Sequence, residues 1–304
     1  MEVNWRAVLI TAIAPIAWGA TYYVTSHTLP AESPLWGSAA RALPAGLILL
    51  AIARSRPHGR QEWFRTALLG ALNVGGFFLL LYIAAQLLPT SVASSIMAAS
   101  PLVLAAFAWA ILGQRPAARV IAGAVIGILG VLLLVAGGTG AIDGWGVAAS
   151  VTGLASSSLG YVLTRRWGGT AKPVIASAWQ LLFGGAILLV VALAVEGAPP
   201  VLDGTGWAGL AFVTLIGTAA ANVAWFYGLE HLPAGAVGVI GLLNPVTGVL
   251  LGVLAGGETL EPAQIAGILL VLTGIALGQL QLNRRRARLS RSRRRSPRPA
   301  RGGA

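Results

Sequence analysis

Residues 89–113 read PTSVASSIMAASPLVLAAFAWAILG, and residues 233–257 read PAGAVGVIGLLNPVTGVLLGVLAGG. Each stretch opens on proline, holds a second proline at the same spacing, and closes on glycine. The offset is 144 throughout: Pro89 meets Pro233, Pro101 meets Pro245 and Gly113 meets Gly257. It also carries Ile121-Ala122-Gly123 onto Ile265-Ala266-Gly267, and Gly130 onto Gly274. An offset of 139 relates an earlier pair of segments. There Gly46 meets Gly185, and Ile48-Leu49-Leu50 meets Ile187-Leu188-Leu189. A constant offset across a turn, a proline and a following apolar run marks an internal repeat.

The setting of that repeat follows from composition. Of 304 residues, 56% are hydrophobic and 10% charged, against about 25% charged in soluble domains. So little charge leaves no water-soluble surface. The 40 glycines suit a membrane bundle, where small residues let helices approach closely. Ten apolar runs reach the roughly 20 residues a spanning helix needs: 8–26, 35–53, 66–86, 91–112, 117–137, 144–164, 174–195, 206–228, 234–255 and 261–281. Breakers separate them, among them Pro30, Pro34, Pro57, Pro89, Pro116, Gly138, Gly140, Pro199, Pro200 and Pro233. Met1 to Ala7 leads into a run of spanning length with no small-residue cleavage site, so an uncleaved first span is expected.

Charge orients the spans. With a cytoplasmic N-terminus, the inner segments hold Arg6, Arg54, Arg56, Arg60, Arg65, Arg115, Arg119, Arg165, Arg166, Lys172 and the tail. The outer loops hold Glu32, Asp143, Glu196, Asp203, Glu258 and Glu261, without Lys or Arg. This is the positive-inside pattern of a multi-pass inner-membrane protein with both termini cytoplasmic. Trp5, Trp63 and Trp167 fall near one interface and Trp36, Trp145 and Trp207 near the other, as an aromatic belt does. Five helices are an odd number, so the second copy enters the membrane from the opposite side. Matched loops agree: Arg115 corresponds to Thr259 beside Glu258, and the Arg54–Arg65 loop to the one with Glu196 and Asp203. The expected fold is therefore an all-α membrane protein of ten transmembrane helices in two inverted five-helix repeats, 1–137 and 138–282. A disordered basic cytoplasmic tail, 283–304, follows. Inverted repeats are the architecture of secondary transporters.

The tail holds ten of the 21 basic residues, from Arg284 to Arg301. It reads as a positive-inside anchor touching anionic lipid. No aromatic residue interleaves with its arginines, which argues against nucleic acid as a partner. There is no cysteine. His27, His58 and His231 cluster with no acids, so neither a metal, a cofactor nor a catalytic site is expected.

The chain resembles the drug/metabolite transporter superfamily, and within it the EamA-type members, over nearly its whole length outside the tail. The matching features are Trp18-Gly19, Arg41 early in the second helix, and the YIAAQLLP stretch from Tyr82 to Pro89. They continue with Pro101, Leu112-Gly113-Gln114, Asn244-Pro245 and Gly257-Glu258. The family usually ends both the fourth and ninth helices on Gly-Glu, whereas here Gln114 stands in the first copy. The resemblance implies export or exchange of small metabolites or drugs.

Candidate site residues follow from polarity at depth. Arg41 stands alone as a charge well inside a helix, and its repeat partner is Gln180. It reads either as a partner for a substrate carboxylate or gate, or as a packing residue bonded to helix-end carbonyls, bonded to Glu32, or snorkelling outward. Trp18, Tyr22, Asn73, Tyr82, Ser95, Tyr161, Trp225 and Asn244 are the further candidates for lining a cavity between the halves. Each serine alone equally fits a bond to its own helix. Pro101 and Pro245 are matched breaks, read as hinges or as static kinks. The helices offer no intramembrane Asp or Glu, so no carboxylate proton relay is expected. The function expected is secondary transport of a small-molecule substrate, foremost amino-acid export. Multidrug or cation export is the alternative, and a non-transporting membrane scaffold the alternative from another class. An intramembrane enzyme would need acid, base or metal groups at depth, and the helices show none.

Overall fold

The computed structural model describes residues 4–57, 59–136, 142–167, 173–232, 234–274 and 276–277. The basic tail, His58, Gly138, Gly140, Lys172 and Pro233 lie outside the described residues. Those described form helices and short connections, with no strand among them. Hydrocarbon favours this, because a helix bonds its interior backbone groups within itself.

α1 is Trp5–Thr28, begun by Asn4, whose side chain accepts from the Ala7 N–H at 3.1 Å. α2 is Pro34–Ala53, with proline in the first turn where no N–H is required. α3 is Gly59–Leu87, α4 Thr90–Leu112, α5 Ala118–Ala136, α6 Gly144–Trp167 and α7 Pro173–Val195. α8 is Gly204–His231, capped by Asp203, which accepts from the Gly206 N–H at 2.7 Å. α9 comprises Ala234–Ile240 and Leu243–Leu254, and α10 is Pro262–Gly274. Eight of the ten are long and apolar enough to cross a bilayer as single helices. Below, the acidic end is the one whose loops carry Glu196 and Glu258, and the basic end carries Arg54, Arg115 and Arg165.

Two seams between the halves are built from contacts that exchange under the repeat. α5 buries Gly123, Gly127, Gly130 and Leu134 and exposes Ile121, Val125, Ile128 and Leu132, the face a lipid would cover. The glycine stripe meets α10 backbone to backbone. A Cβ on Gly130 would stand 2.7 Å from the Gly267 carbonyl oxygen, and one on Gly274 would stand 2.5 Å from that of Gly123. An offset of 144 turns the pair 123–274 into 267–130. α2 and α7 repeat the device. A Cβ on Gly46 would lie 3.1 Å from Leu181 and one on Gly185 3.1 Å from Ala42, and the offset of 139 exchanges these contacts. Self-complementary antiparallel contacts are what an inverted repeat demands.

The helices carry two irregularities, both doubled. α4 breaks at Ala98 and Ala99, between Thr90–Met97 and Ser100–Leu112; α9 breaks at Gly241 and Leu242. The ninth run, read from sequence as continuous over 234–255, is thus two helices. Pro101 and Pro245 sit in the first turns after the breaks, where their missing N–H leaves no bond back to the preceding piece. Tight turns replace it, with Leu102 N–H on Ala99 O at 3.0 Å and Asn244 N–H on Gly241 O at 3.1 Å. The second irregularity has no signature in residue type. Ala71–Gly76 of α3 and Phe212–Ala220 of α8 are wound as π-helix. The offset of 144 carries 71–76 onto 215–220, inside the second segment.

The α5–α10 seam should fail when its glycines gain bulk. Gly130→Val forces the two backbones apart and should cost about 1–3 kcal/mol, read as a lowered unfolding midpoint in mild detergent. Gly144→Ala, where a Cβ meets nothing within 4 Å, should leave the midpoint unchanged.

Candidate functional site

Arg41 points inward because α2 buries one stripe: Ser38, Arg41, Ala42, Ala45 and Leu49. The residue is buried, 7% exposed. Nε–H donates to Thr218 Oγ1 at 2.7 Å, and Nη2–H to the Gly217 carbonyl at 3.4 Å. The Phe78 ring lies 4.2 Å from the guanidinium carbon, a cation–π contact. Tyr22, itself buried, is close enough for its phenol to interact electrostatically with the charge. Thr218 accepts from Arg41 while donating to Val213 O at 2.7 Å, a bond set by the π-helical winding of α8. Among the described residues no carboxylate pairs with Arg41. It neither snorkels nor reaches Glu32. It is a buried cation held by neutral groups, and such a charge is costly in a membrane.

The repeat places a neutral counterpart opposite. Gln180 Oε1 accepts from Asn73 Nδ2 at 2.9 Å, and Asn73 lies in the π-helical segment of α3. Arg41 maps onto Gln180 and Asn73 onto Gly217 under the two offsets. Each α2-type helix thus sends a polar side chain to the irregular turn of the other half's α3-type helix. Leu72, in the same turn, accepts from Ser156 Oγ at 2.8 Å. Gly160 makes room for the Asn73 amide, which a Cβ there would strike. Among the described residues several polar side-chain atoms are buried without a protein partner: Ser38 Oγ, Asn73 Oδ1, Ser91 Oγ, Ser95 Oγ, Ser150 Oγ, Thr214 Oγ1 and Asn244 Oδ1. Buried polar atoms ordinarily find partners, and Asn73 Oδ1 belongs to the node just described.

The remaining candidates fall into groups. Trp18 and Trp225 meet across α1 and α8 with centroids 5.2 Å apart and planes at 57°. Beside them Gly19 lets α1 approach α9: a Cβ there would strike the Asn244 carbonyl oxygen and stand 2.8 Å from Thr247 Cβ. Trp18, Trp225 and the backbone of Asn244 therefore share one region. Ser95 is buried in the first piece of α4, whose eight residues are all buried. Tyr161 shares a face of α6 with buried Leu154 and Ser158 yet is 62% exposed. Tyr82 stands elsewhere. Its hydroxyl donates to Pro30 O at 2.7 Å, and Gln86 Nε2 donates to Thr25 O and Leu29 O, both at 2.9 Å. These two residues of the YIAAQLLP stretch fasten the α1–α2 connection at the acidic end. Sequence reasoning did not name Thr218, Phe78 or Thr214; their only signal was polarity or an aromatic ring in a span. Among the described residues no group of His, Asp or Glu could hold a metal ion.

Comparison with known proteins then bears on the whole chain. The EamA-like transporter family matches residues 5–136 and 144–278. Protein PecM of Dickeya dadantii is 34% identical over 88% of this chain and 90% of its own length. The uncharacterized inner membrane transporter YedA of Escherichia coli is 27% identical over 86% and 87%. One crystal structure, 20% identical, superimposes with a TM-score of 0.64 over 93% of this chain and 99% of the other; that likeness speaks for the fold.

The Asn73–Gln180 bond should be measurable as a coupling between halves. A double-mutant cycle with Asn73→Ala and Gln180→Ala should give an interaction of about 0.6 kcal/mol, the typical size inside a bilayer, read from unfolding midpoints. Strict additivity would remove the bond from the account.

Proposed function

Because the chain belongs to the EamA-like transporter family, we propose that it exports small metabolites bearing a carboxylate, amino acids foremost, by alternating access between its two halves. Transport and a multi-pass membrane location follow from the family and the apolar helices. The cargo, the direction and the site are this reading's own. Arg41 carries it. A cation buried against Thr218, Gly217 and Phe78 lacks an anion, and a cargo carboxylate would supply one through charge-assisted bonds. Arg41, Tyr22, Asn73, Ser95 and Asn244 would form the polar part of the site, with Trp18 and Trp225 as its aromatic wall and Tyr161 at its mouth. Tyr82 would hold the acidic end in place. Both termini and the basic end would be cytoplasmic, the repeats would divide at 137–138, and the tail from 283 would rest on anionic lipid. Pro101 and Pro245 would be the hinges.

Flux in proteoliposomes loaded with single amino acids tests the reading. Arg41→Gln should raise the KM for amino acids at least about tenfold, the loss of one charge-assisted contact. Arg41→Lys should recover part of it. If amino acids give no flux while cationic dyes move equally well in both variants, the multidrug alternative holds instead.

A further inference from the structure

The first turn of a helix has N–H groups without partners in the helix. In α4 that turn is buried: Thr90 is 2% exposed and Ser91 1%. Its partner comes from the other half. Glu258 Oε1 accepts from the Thr90 N–H at 2.5 Å, and Oε2 from the Ser91 N–H at 3.1 Å. The carboxylate is aimed by the end of α9. Gly257 takes φ +67°, and the Glu258 N–H folds back onto Gly252 O at 2.9 Å. The carboxylate then lies against Gly252, where a Cβ would stand 2.5 Å from Oε2.

The same turn exists at the basic end with a different side chain. Gly113 takes φ +65°, and the Gln114 N–H folds back onto Ala108 O at 3.3 Å. Gln114 and Ala108 are Glu258 and Gly252 moved by 144, and the start of α9 at Ala234 is the counterpart of Thr90. Gln114 is exposed. At the acidic end Thr90–Met97 packs on Leu243–Leu254. At the basic end, among the described residues, Ser100–Leu112 packs on α6, and Ala234–Ile240 on α1. α4 and α9 are thus joined at the end where the carboxylate sits.

We propose that Glu258 is the latch that holds the acidic end of the transporter shut, and that Gln114 takes the equivalent place on the N-terminus of α9 in the opposite conformation. Glu258 is a positioning residue of the transport cycle; it need not touch cargo. A carboxylate holds a helix N-terminus by charge-assisted bonds and by the helix dipole, whereas an amide offers a neutral acceptor. The resting state is therefore the one in which α4 and α9 are joined at the acidic end. Glu196 provides the contrast. It caps α2 in the same way, accepting from Leu35 N–H at 2.8 Å and Trp36 N–H at 2.9 Å. Its helices, α2 and α7, are already joined by the Gly46 and Gly185 contacts, so this cap belongs to a fixed pair.

The proposal rests on the transporter reading, but its test needs no cargo, so a wrong substrate leaves it standing. The chain has no cysteine, which makes single-cysteine reporters direct. Ser95→Cys reports on the buried first piece of α4. Ala192→Cys, fully buried in the α2–α7 pair, reports on general loosening. Full-length protein in oriented proteoliposomes is labelled from the acidic-end side with a membrane-impermeant maleimide. Glu258→Gln and Gly252→Ala should each speed labelling of Ser95→Cys about tenfold, the size of a charged cap at a helix terminus. Gln114→Glu should speed it too, and Glu196→Gln should not. Unchanged labelling in both Glu258→Gln and Gly252→Ala overturns the latch. An equal rise at Ala192→Cys overturns it as well, since that is loosening. No response to Gln114→Glu removes the counterpart at the basic end.

Discussion

In hydrocarbon two helices gain nothing by hiding apolar surface from each other, because lipid is as apolar as leucine. What joins the halves of this molecule must be close backbone approach and polar bonds. The first is supplied at Gly123, Gly130, Gly267 and Gly274 between α5 and α10, and at Gly46 and Gly185 between α2 and α7. Each seam is a contact and its own image, so one position in the five-helix unit serves twice. With α2 and α7 held this way, Arg41 and Gln180 project from fixed bases toward the irregular turns of α8 and α3.

Those turns explain how polar groups are accommodated at depth. A regular helix keeps its carbonyls to itself and offers a neighbour nothing to bond. The π-helical windings loosen that ladder, and Gly217 and Leu72 accept bonds from Arg41 and Ser156 on other helices. Irregular backbone at membrane depth is tolerated where protein or a wet cavity satisfies it, and here it occurs at matched positions of the two halves.

The ten helices were legible because span length, loop charge and proline spacing are one-dimensional signals. The inverted repeat was legible for the same reason, and the α5–α10 and α2–α7 contacts fall on the residues the offsets paired. The windings at 71–76 and 212–220 were not, since π-helix arises from the fit of neighbours rather than from residue type. Arg41 stood out as a lone charge, but its partners Thr218 and Phe78 needed three dimensions. Tyr82 was picked out by its polarity, but its bond to the Pro30 carbonyl, 52 residues away in the chain, needed three dimensions as well. Glu196 and Glu258 read as loop acids because the helix termini they cap lie 160 residues and more away in the chain.

Symmetry accounts for what the two copies share; transport needs the places where they differ. Two identical inverted copies would give the inward-open and outward-open states equal free energy. Arg41 opposite Gln180 gives the interior one charge on one side, and, with Glu258 as latch, Glu258 opposite Gln114 would give the two closures different strengths. The second difference has a suitable size. A charge at a helix terminus contributes about 0.3–2 kcal/mol, and about 1.4 kcal/mol tilts an equilibrium tenfold. Reversing a population from 1:99 to 99:1 takes about 5.5 kcal/mol. One carboxylate in place of one amide would therefore set a preferred resting state while leaving the other within thermal reach. A seam of glycines could not do this, because it is the same contact in both copies and favours neither state.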